Sequence, residues 1–409
     1  MQTTIHTKFI GTEAAKDAEA ILQNCVHCGF CNATCPTYRV TRDERNGPRG
    51  RIYLMKQFFE TGEASELTLN HLDACLNCRN CETTCPSNVE YGKLFDIGHH
   101  LIEQQNPRPL PGRIVRLALR KLLPRKHIFG FFVWCGQLTR PLLPKAIARK
   151  VPIRQTERPW PKAQHQRKML LLGGCVVPTT TPNTNGSIAR VLDRLGVSVK
   201  VANKAGCCGA LSYHLSEHDE AADQMRRNID AWWPDIEAGA EKIVIGASAC
   251  SLMIKDYGRY LSNDAQYAEK AKRVSAMAQD ISEVLTEEDL SPLKADVQNS
   301  EPKLKTAFHC PCTLQHGLGL NGTVESLLTD AGVDLVPVED GGQCCGSSGT
   351  YSVLQPKLSK EILAKKVKGL TTNAPQQIVT ANVGCQMHIQ TATDTPVKHW
   401  VELLDPSLD

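Results

Sequence analysis

Two runs of cysteine fifty residues apart constrain this 409-residue chain more than anything else in it: Cys25, Cys28, Cys31 and Cys35 followed by Pro36, and Cys75, Cys78, Cys81 and Cys85 followed by Pro86. Each run gathers four soft sulfur ligands within eleven residues. Cysteines three apart let a tight loop wrap one face of a metal centre, and the proline after the fourth fixes φ so that the loop does not close onto its own last ligand. Structural zinc is a weaker match. A zinc site usually takes two ligand pairs split by a longer loop, and two identical four-Cys-Pro runs would be superfluous to it.

The spacing resembles that of bacterial two-cluster ferredoxins, in which the fourth cysteine of each run ligates the other cluster. The resemblance implies one [4Fe-4S] cluster on Cys25, Cys28, Cys31 and Cys85, and a second on Cys75, Cys78, Cys81 and Cys35. Composition agrees with reduced thiols. Eighteen cysteines would have to pair in a secreted protein, yet the N-terminus MQTTIHTKFIGTEAAKDAEA has no apolar core, twin arginine or cleavage site. A cytoplasmic location is expected, with peripheral contact on the inner membrane face as its extension. No apolar run approaches the eighteen or so residues of a span; the longest candidate is Ile128 to Leu138.

Net charge of +4 hides an asymmetry. Residues 101–170 hold sixteen Lys or Arg against Glu103 and Glu157 alone, so this stretch carries +14 and the remainder about −10 by subtraction. Nine prolines between Pro107 and Pro161 mark it as a connection. Within it, RIVRLALRKLL and IFGFFVWCGQL suit short helices with an apolar face and basic flanks, a pattern for an anionic membrane surface, an acidic partner, or a linker packed on its own protein. No nucleic-acid reader motif accompanies the charge.

The second half repeats itself. Cys175, Cys207-Cys208-Gly209 and Cys250 are echoed by Cys312, Cys344-Cys345-Gly346 and Cys385, with thirty-two positions from the first cysteine to the pair in both halves. Short apolar runs ending in Cys or Gly alternate with helical stretches, which argues for βαβ units with parallel strands. Cys175, Cys250, Cys312 and Cys385 then fall beyond the carboxyl ends of strands, where such sheets gather ligands. Gly317-x-Gly319-x-x-Gly322, with Glu339-Asp340 downstream, matches a dinucleotide fingerprint. It is a poor one, because a cysteine pair separates it from the preceding strand and the first half has no counterpart.

This repeat resembles the CCG cysteine-rich domain of heterodisulfide reductases and of iron-sulfur subunits of flavoprotein dehydrogenases. That family's full pattern closes each half with a Cys-x-x-Cys, and here Ala247 and Asn382 stand where the first cysteine of each closing pair would be. Four thiolates remain per half, with Cys310 as a fifth in the second, and four suffice for an ordinary cluster. A third iron-sulfur cluster or an acceptor site is therefore expected among Cys175, Cys207, Cys208, Cys250, Cys310, Cys312, Cys344, Cys345 and Cys385. His309, His316 and His388 lie nearby as ligands, proton relays or plain structural residues.

Segments GPRGRIYLMKQ, NIDAWWP, FHCPCTLQH, CCGSSGTY and TANVGCQ extend the resemblance along nearly the whole chain, to the iron-sulfur subunits of glycolate oxidase, the bacterial glycolate dehydrogenase. The resemblance implies electron transfer from FAD in a partner flavoprotein subunit towards a quinone-type acceptor, with no substrate-oxidising residue in this chain. Organic donors give up two electrons and iron-sulfur clusters accept one, so a flavin between them splits the pair. Equivalent subunits of lactate or glycerol-3-phosphate dehydrogenases, a heterodisulfide-reductase-like catalytic subunit and a nucleic-acid-binding redox sensor are the competing readings. The expected fold is an α+β ferredoxin-like two-cluster domain, mainly helix and loop around its clusters, over 1–100. A basic linker with short amphipathic helices follows over 101–165, then an α/β part of two CCG repeats over 166–290 and 291–409.

Overall fold

The computed structural model describes residues 1–299, 303–405 and 407. Two compact units emerge, and they interleave along the chain. The first comprises Met1–Leu117 and Gly342–Lys366; the second comprises Ala118–Gly341 and the chain from Val367 on.

In the first unit the elements up to residue 117 are helical, with no strand among the described residues. They include α1 (Glu13–Asn24), α2 (Phe30–Thr34), α3 (Pro36–Thr41), α4 (Pro48–Thr61), α5 (Glu66–Asp73), α6 (Asn80–Thr83), α7 (Tyr91–Gln105) and α8 (Leu110–Leu122). Thr12 starts α1 by accepting the Ala15 amide on its hydroxyl at 3.2 Å. Its Ala15, Ala18, Ile21 and Leu22 repeat at helical spacing and face inward. Helix α4 begins with Pro48 in its first turn and stops at Gly62, whose φ of 78° only glycine adopts cheaply. Between these ends Met55, Phe58 and Phe59 are fully buried against Leu94 and Ile102 of α7, each contributing about 1.5–3 kcal/mol. The expectation of helix and loop is met here. The β part of the α+β description has no counterpart in residues 1–117, because the cysteine loops and the short helices they feed occupy the backbone.

Below the helical core, Asp73 at the end of α5 accepts hydrogen bonds from His99 at 2.9 Å, from both terminal nitrogens of Arg108 at 2.6 and 2.9 Å, and from Arg116 at 3.4 Å. Burial alone would raise the pKa of this carboxyl. The hydrogen bonds from His99 and Arg108 outweigh it and hold Asp73 well below the usual carboxylate range.

The second unit contains helix α9 (Lys126–Thr139) and two four-stranded sheets of identical design. Strands β1 (Arg167–Leu171), β2 (Val197–Val201), β3 (Ile243–Ile245) and β4 (Ala278–Asp280) run parallel in the order β2-β1-β3-β4. Strands β5 (Thr306–His309), β6 (Leu335–Val336), β7 (Gln377–Thr380) and β8 (Val397–His399) repeat it as β6-β5-β7-β8, again all parallel. The sequence duplication is thus a duplication of topology. One apolar core runs through both halves, from Met169, Leu171 and Ile188 to Phe308, Val379 and Trp400.

Polar contacts join the repeats at the positions that lack the closing cysteines. Asn382 caps its helix by accepting the Gly384 amide at 2.9 Å, and its amide nitrogen donates to the Ser248 hydroxyl at 3.3 Å. Ser248 also meets Thr313 at 2.7 Å. Gly317, from the dinucleotide-like string, packs so closely on Leu252 that a Cβ would lie 2.6 Å from its side chain. A packing demand between repeats accounts for that glycine.

His399 adds a buried bridge. Its Nε2–H donates to the Gly246 carbonyl at 2.7 Å, and its Nδ1 accepts the Val401 amide at 3.3 Å, so the fold requires the neutral ring. Burial pushes its pKa down to about 4, although the bond to Gly246 opposes that. Because the folded value lies below the ordinary 6.5, this contribution is complete above about pH 6.5 and is lost as pH falls towards 4. The stability advantage of the native chain over His399→Gln, measured by urea unfolding, is expected to shrink by up to about 3 kcal/mol across that window. A pH-independent advantage would contradict this.

Candidate metal centres

The two cysteine runs build the same loop twice. His27 and Gly29, on either side of Cys28, have φ of 60° and 85°; Asn77 and Arg79, on either side of Cys78, have φ of 47° and 58°. Left-handed residues at alternate positions curl the backbone and turn its N–H groups inward, which favours an anionic guest. The third cysteine of each run, Cys31 or Cys81, then sits in the first turn of a short helix, α2 or α6.

The last cysteine of each run lies at the pocket of the other run. Cys25, Cys28, Cys31 and Cys85 line one pocket of about 440 Å³, whose other walls include Val26, Phe30, Pro48, Ile52, Val89 and Cys81 of the second run. Cys35 lines a second pocket, of about 300 Å³, with Cys75, Cys78 and Cys81, alongside Pro36, Arg51 and Tyr91. Pro36 opens helix α3 in its first turn, which carries the chain away from the first loop and leaves Cys35 to the second.

Electrostatics test what these pockets suit. Burial pushes the Cys31 thiol up to about 12, and the neighbouring Cys25, Cys85 and Cys28 push it further in the same direction. Burial likewise raises Cys25, and carries Cys81 well above the ordinary thiol range, with Cys78, Cys75 and Cys35 adding to it. Four thiolates crowded into an apolar pocket repel one another. Bound iron would reverse that penalty, because a coordinated thiol is deprotonated outright.

One buried cation faces the second pocket. Arg51, fully buried, donates from Nε to the His71 carbonyl at 2.8 Å and from Nη2 to the Thr37 hydroxyl at 3.2 Å. Burial would lower its pKa, yet the nearby Cys75, Tyr91, Cys35 and Tyr351 hold it above the ordinary value. The corresponding arginine at the first pocket, Arg49, is neutralised by Glu44 at 2.6 Å. The Tyr91 hydroxyl and the Asn77 amide both donate to Cys75 Sγ, at 3.5 and 3.4 Å.

The loop after the second Cys-Cys-Gly is part of this same unit. The Tyr351 hydroxyl donates to the Ala74 carbonyl at 3.1 Å, the Ser348 hydroxyl to the Leu76 carbonyl at 2.7 Å, and the Asn80 side chain to the Gly342 carbonyl at 3.0 Å. Burial raises the Tyr351 pKa, and among the thiols acting on it are Cys75, Cys344 and Cys35. Sequence reasoning missed both Arg51 and this docked loop. Their only signal was membership of the strings GPRGRIYLMKQ and CCGSSGTY.

In the first repeat, Cys175, Cys207, Cys208 and Cys250 come together beyond the strand ends. The free thiols of Cys175 and Cys208 converge on Cys207 through hydrogen bonds, and Cys208 is also hydrogen-bonded to Cys250. These bonds, with burial, raise Cys175 and Cys208, while as their acceptor Cys207 is held low. Gly209, with φ of 96°, makes the turn that follows the pair. Asn228 and Arg227 hold the Cys207 carbonyl at 2.9 and 3.0 Å, and the Tyr257 hydroxyl holds that of Cys208 at 2.8 Å.

In the second repeat Cys310, Cys344, Cys345 and Cys385 are buried and Cys312 is half-buried. Gly346 repeats the turn with φ of 87°. His309 ends β5 and is buried, while His316 and His388 are half-buried. Cys310, Cys312, Cys385 and the three histidines belong to the second unit, Cys344 and Cys345 to the first.

The fold and thiol sets define an iron-sulfur protein with a duplicated cysteine-rich module. The 4Fe-4S dicluster domain family matches residues 21–89, and the cysteine-rich CCG domain family matches twice, over 169–255 and 306–390. The glycolate oxidase iron-sulfur subunit of Escherichia coli K12 is 49% identical over the full length of both chains. The chain belongs to the family of glycolate oxidase iron-sulfur subunits. A probable member from Bacillus subtilis is 28% identical over 91% of this chain and 89% of its own. The lactate utilization protein A of Geobacillus thermodenitrificans is 25% identical over 54% of this chain and 90% of its own.

Proposed function

We propose that the chain is the electron-transfer subunit of a flavin-dependent glycolate dehydrogenase, carrying electrons from FAD in a partner subunit towards a quinone-type acceptor. The full-length identity to the E. coli subunit carries this reading. Cys25, Cys28, Cys31 and Cys85 would hold one [4Fe-4S] cluster, and Cys75, Cys78, Cys81 and Cys35 a second; the shared pockets support that exchange of fourth ligands. Such a cluster supplies one-electron chemistry when bound. The chain's own residues set its surroundings: Arg51 places a positive charge beside one thiol set, and Tyr91 fixes Cys75.

Cys175, Cys207, Cys208 and Cys250 fit a third cluster by donor type, number and convergence, and the second repeat carries the equivalent Cys312, Cys344, Cys345 and Cys385 with Cys310. These would extend the relay or form the acceptor site. Residues 1–100, 101–165, 166–290 and 291–409 serve as its functional segments, the first for clusters, the second as linker, and the last two as repeats. Glycolate is favoured over lactate as donor because the lactate utilization relative aligns with only 54% of the chain. In the complex with its flavoprotein, glycolate is expected to bleach the cluster absorbance faster than lactate does; the reverse order would exchange the two assignments.

A further inference from the structure

Exposed large apolar side chains gather in one short stretch of the chain. Leu110, Ile114, Leu117, Ile128, Leu142 and Ile147 belong to it, as do Phe131, Phe132 and Trp134 of α9. Helix α9 is inside out. Phe131, Phe132, Trp134 and Leu138 are 59%, 55%, 47% and 57% exposed, whereas Phe129, Gly130, Val133 and Gly136 are half-buried. At 100° per residue the first set, with Ile128, spans one face and the second the opposite face.

The glycines mark the inner side. A Cβ on Gly130 would lie 3.6 Å from Thr179, and one on Gly136 3.4 Å from Val151, so small residues seat the helix while its aromatic rings are turned away. Those rings form one group, with Phe131 centred 5.9 Å from Phe132 and 6.2 Å from Trp134.

Charge narrows the occupant. No Asp or Glu occurs from residue 104 to 156, and exposed Arg125, Lys126, Lys145 and Lys150 precede and follow the apolar stretch in sequence. Aromatic rings bordered by cations suit the interface of an anionic bilayer, where the rings sit among headgroups and the cations meet lipid phosphate. A helix of fourteen residues is about 21 Å long, too short to cross the hydrocarbon, and no helix among the described residues is long and apolar enough to do so. We infer that α9, continued by Leu142 and Ile147, lies in the plane of an anionic lipid surface and docks the subunit there through Phe131, Phe132, Trp134 and Leu138.

The inference is independent of the electron donor, since lipid binding needs no substrate, and its failure leaves the electron-transfer reading intact. The test is co-sedimentation of the iron-loaded full chain with vesicles of phosphatidylcholine, alone or mixed with phosphatidylglycerol. The native chain should partition onto the mixed vesicles and be released by salt. The triple variant Phe131→Ser, Phe132→Ser, Trp134→Ser should lose binding by about tenfold or more at unchanged iron content. Lys126→Gln with Lys145→Gln and Lys150→Gln should weaken binding to mixed vesicles and flatten its salt dependence. Native chain that stays unbound, or a triple variant that binds as well as native, overturns the proposal. So does a native chain indifferent to vesicles whose triple variant sheds its flavoprotein partner, because the occupant is then a protein.

Discussion

Replacing Cys85 by serine is expected to disable the metal centre of the other cysteine run. Cys85 shares its pocket with Cys25, Cys28 and Cys31, so Cys85→Ser should lose or degrade the same cluster as Cys28→Ser does. Cys35→Ser should behave like Cys78→Ser, because Cys35 lines the pocket of Cys75, Cys78 and Cys81. Each variant should keep the partner cluster, so iron in the N-terminal part falls by roughly half, and the EPR signals of Cys85→Ser and Cys35→Ser are complementary. If Cys85→Ser instead matches Cys78→Ser, each run holds its own cluster and the exchange of ligands is wrong.

Arg51→Met carries the second large expectation. The guanidinium is fully buried beside Cys75 and Cys35, and its hydrogen bonds run to a carbonyl and a hydroxyl. A buried positive charge favours the more negative, reduced state of a neighbouring centre. At about 6 Å and an effective dielectric near 20, one charge is worth on the order of 2–3 kcal/mol. For a one-electron couple that corresponds to a fall on the order of 100 mV when the charge is removed. Arg51→Lys should recover part of it, and the cluster of Cys25 should shift little, since Arg51 lines the second pocket and not the first. An EPR-monitored redox titration separates the two centres. Equal shifts in both, or none in either, would contradict a local role for Arg51.

The parts of this protein that were legible in its sequence are those where chemistry dictates spacing. The two cysteine runs have to be close-spaced to wrap a cluster, and the thirty-two-residue interval in each repeat reports the same helix and strand leading from one strand's end to the same turn. What stayed hidden depends on contacts far apart in sequence. The docking of Ser348 and Tyr351 onto the carbonyls of Leu76 and Ala74 joins segments more than 270 residues apart, and no periodicity announces it.

The family's signature strings nonetheless acquire physical reasons. In GPRGR, Gly50 approaches the Glu44 backbone so closely that a Cβ would lie 2.1 Å from its carbonyl oxygen, and this closeness accompanies the entry of Arg51 beside the second thiol set. In NIDAWWP, Asn228 secures the Cys207 carbonyl and Trp232 is fully buried in the core of the first repeat. In TANVGCQ, Asn382 replaces a ligand by a helix cap that ties one repeat to the other. At Asn382 the side chain thus joins the two repeats where the full pattern would place a ligand.

The central claim, that this chain relays electrons it does not itself extract, is tested most directly by EPR on anaerobic samples given glycolate. The iron-loaded chain alone should stay EPR-silent with glycolate and respond to dithionite. The same chain with its flavoprotein partner should show reduced-cluster signals with glycolate. Reduction of the flavin-free single chain by glycolate would place substrate oxidation within this subunit and contradict the account.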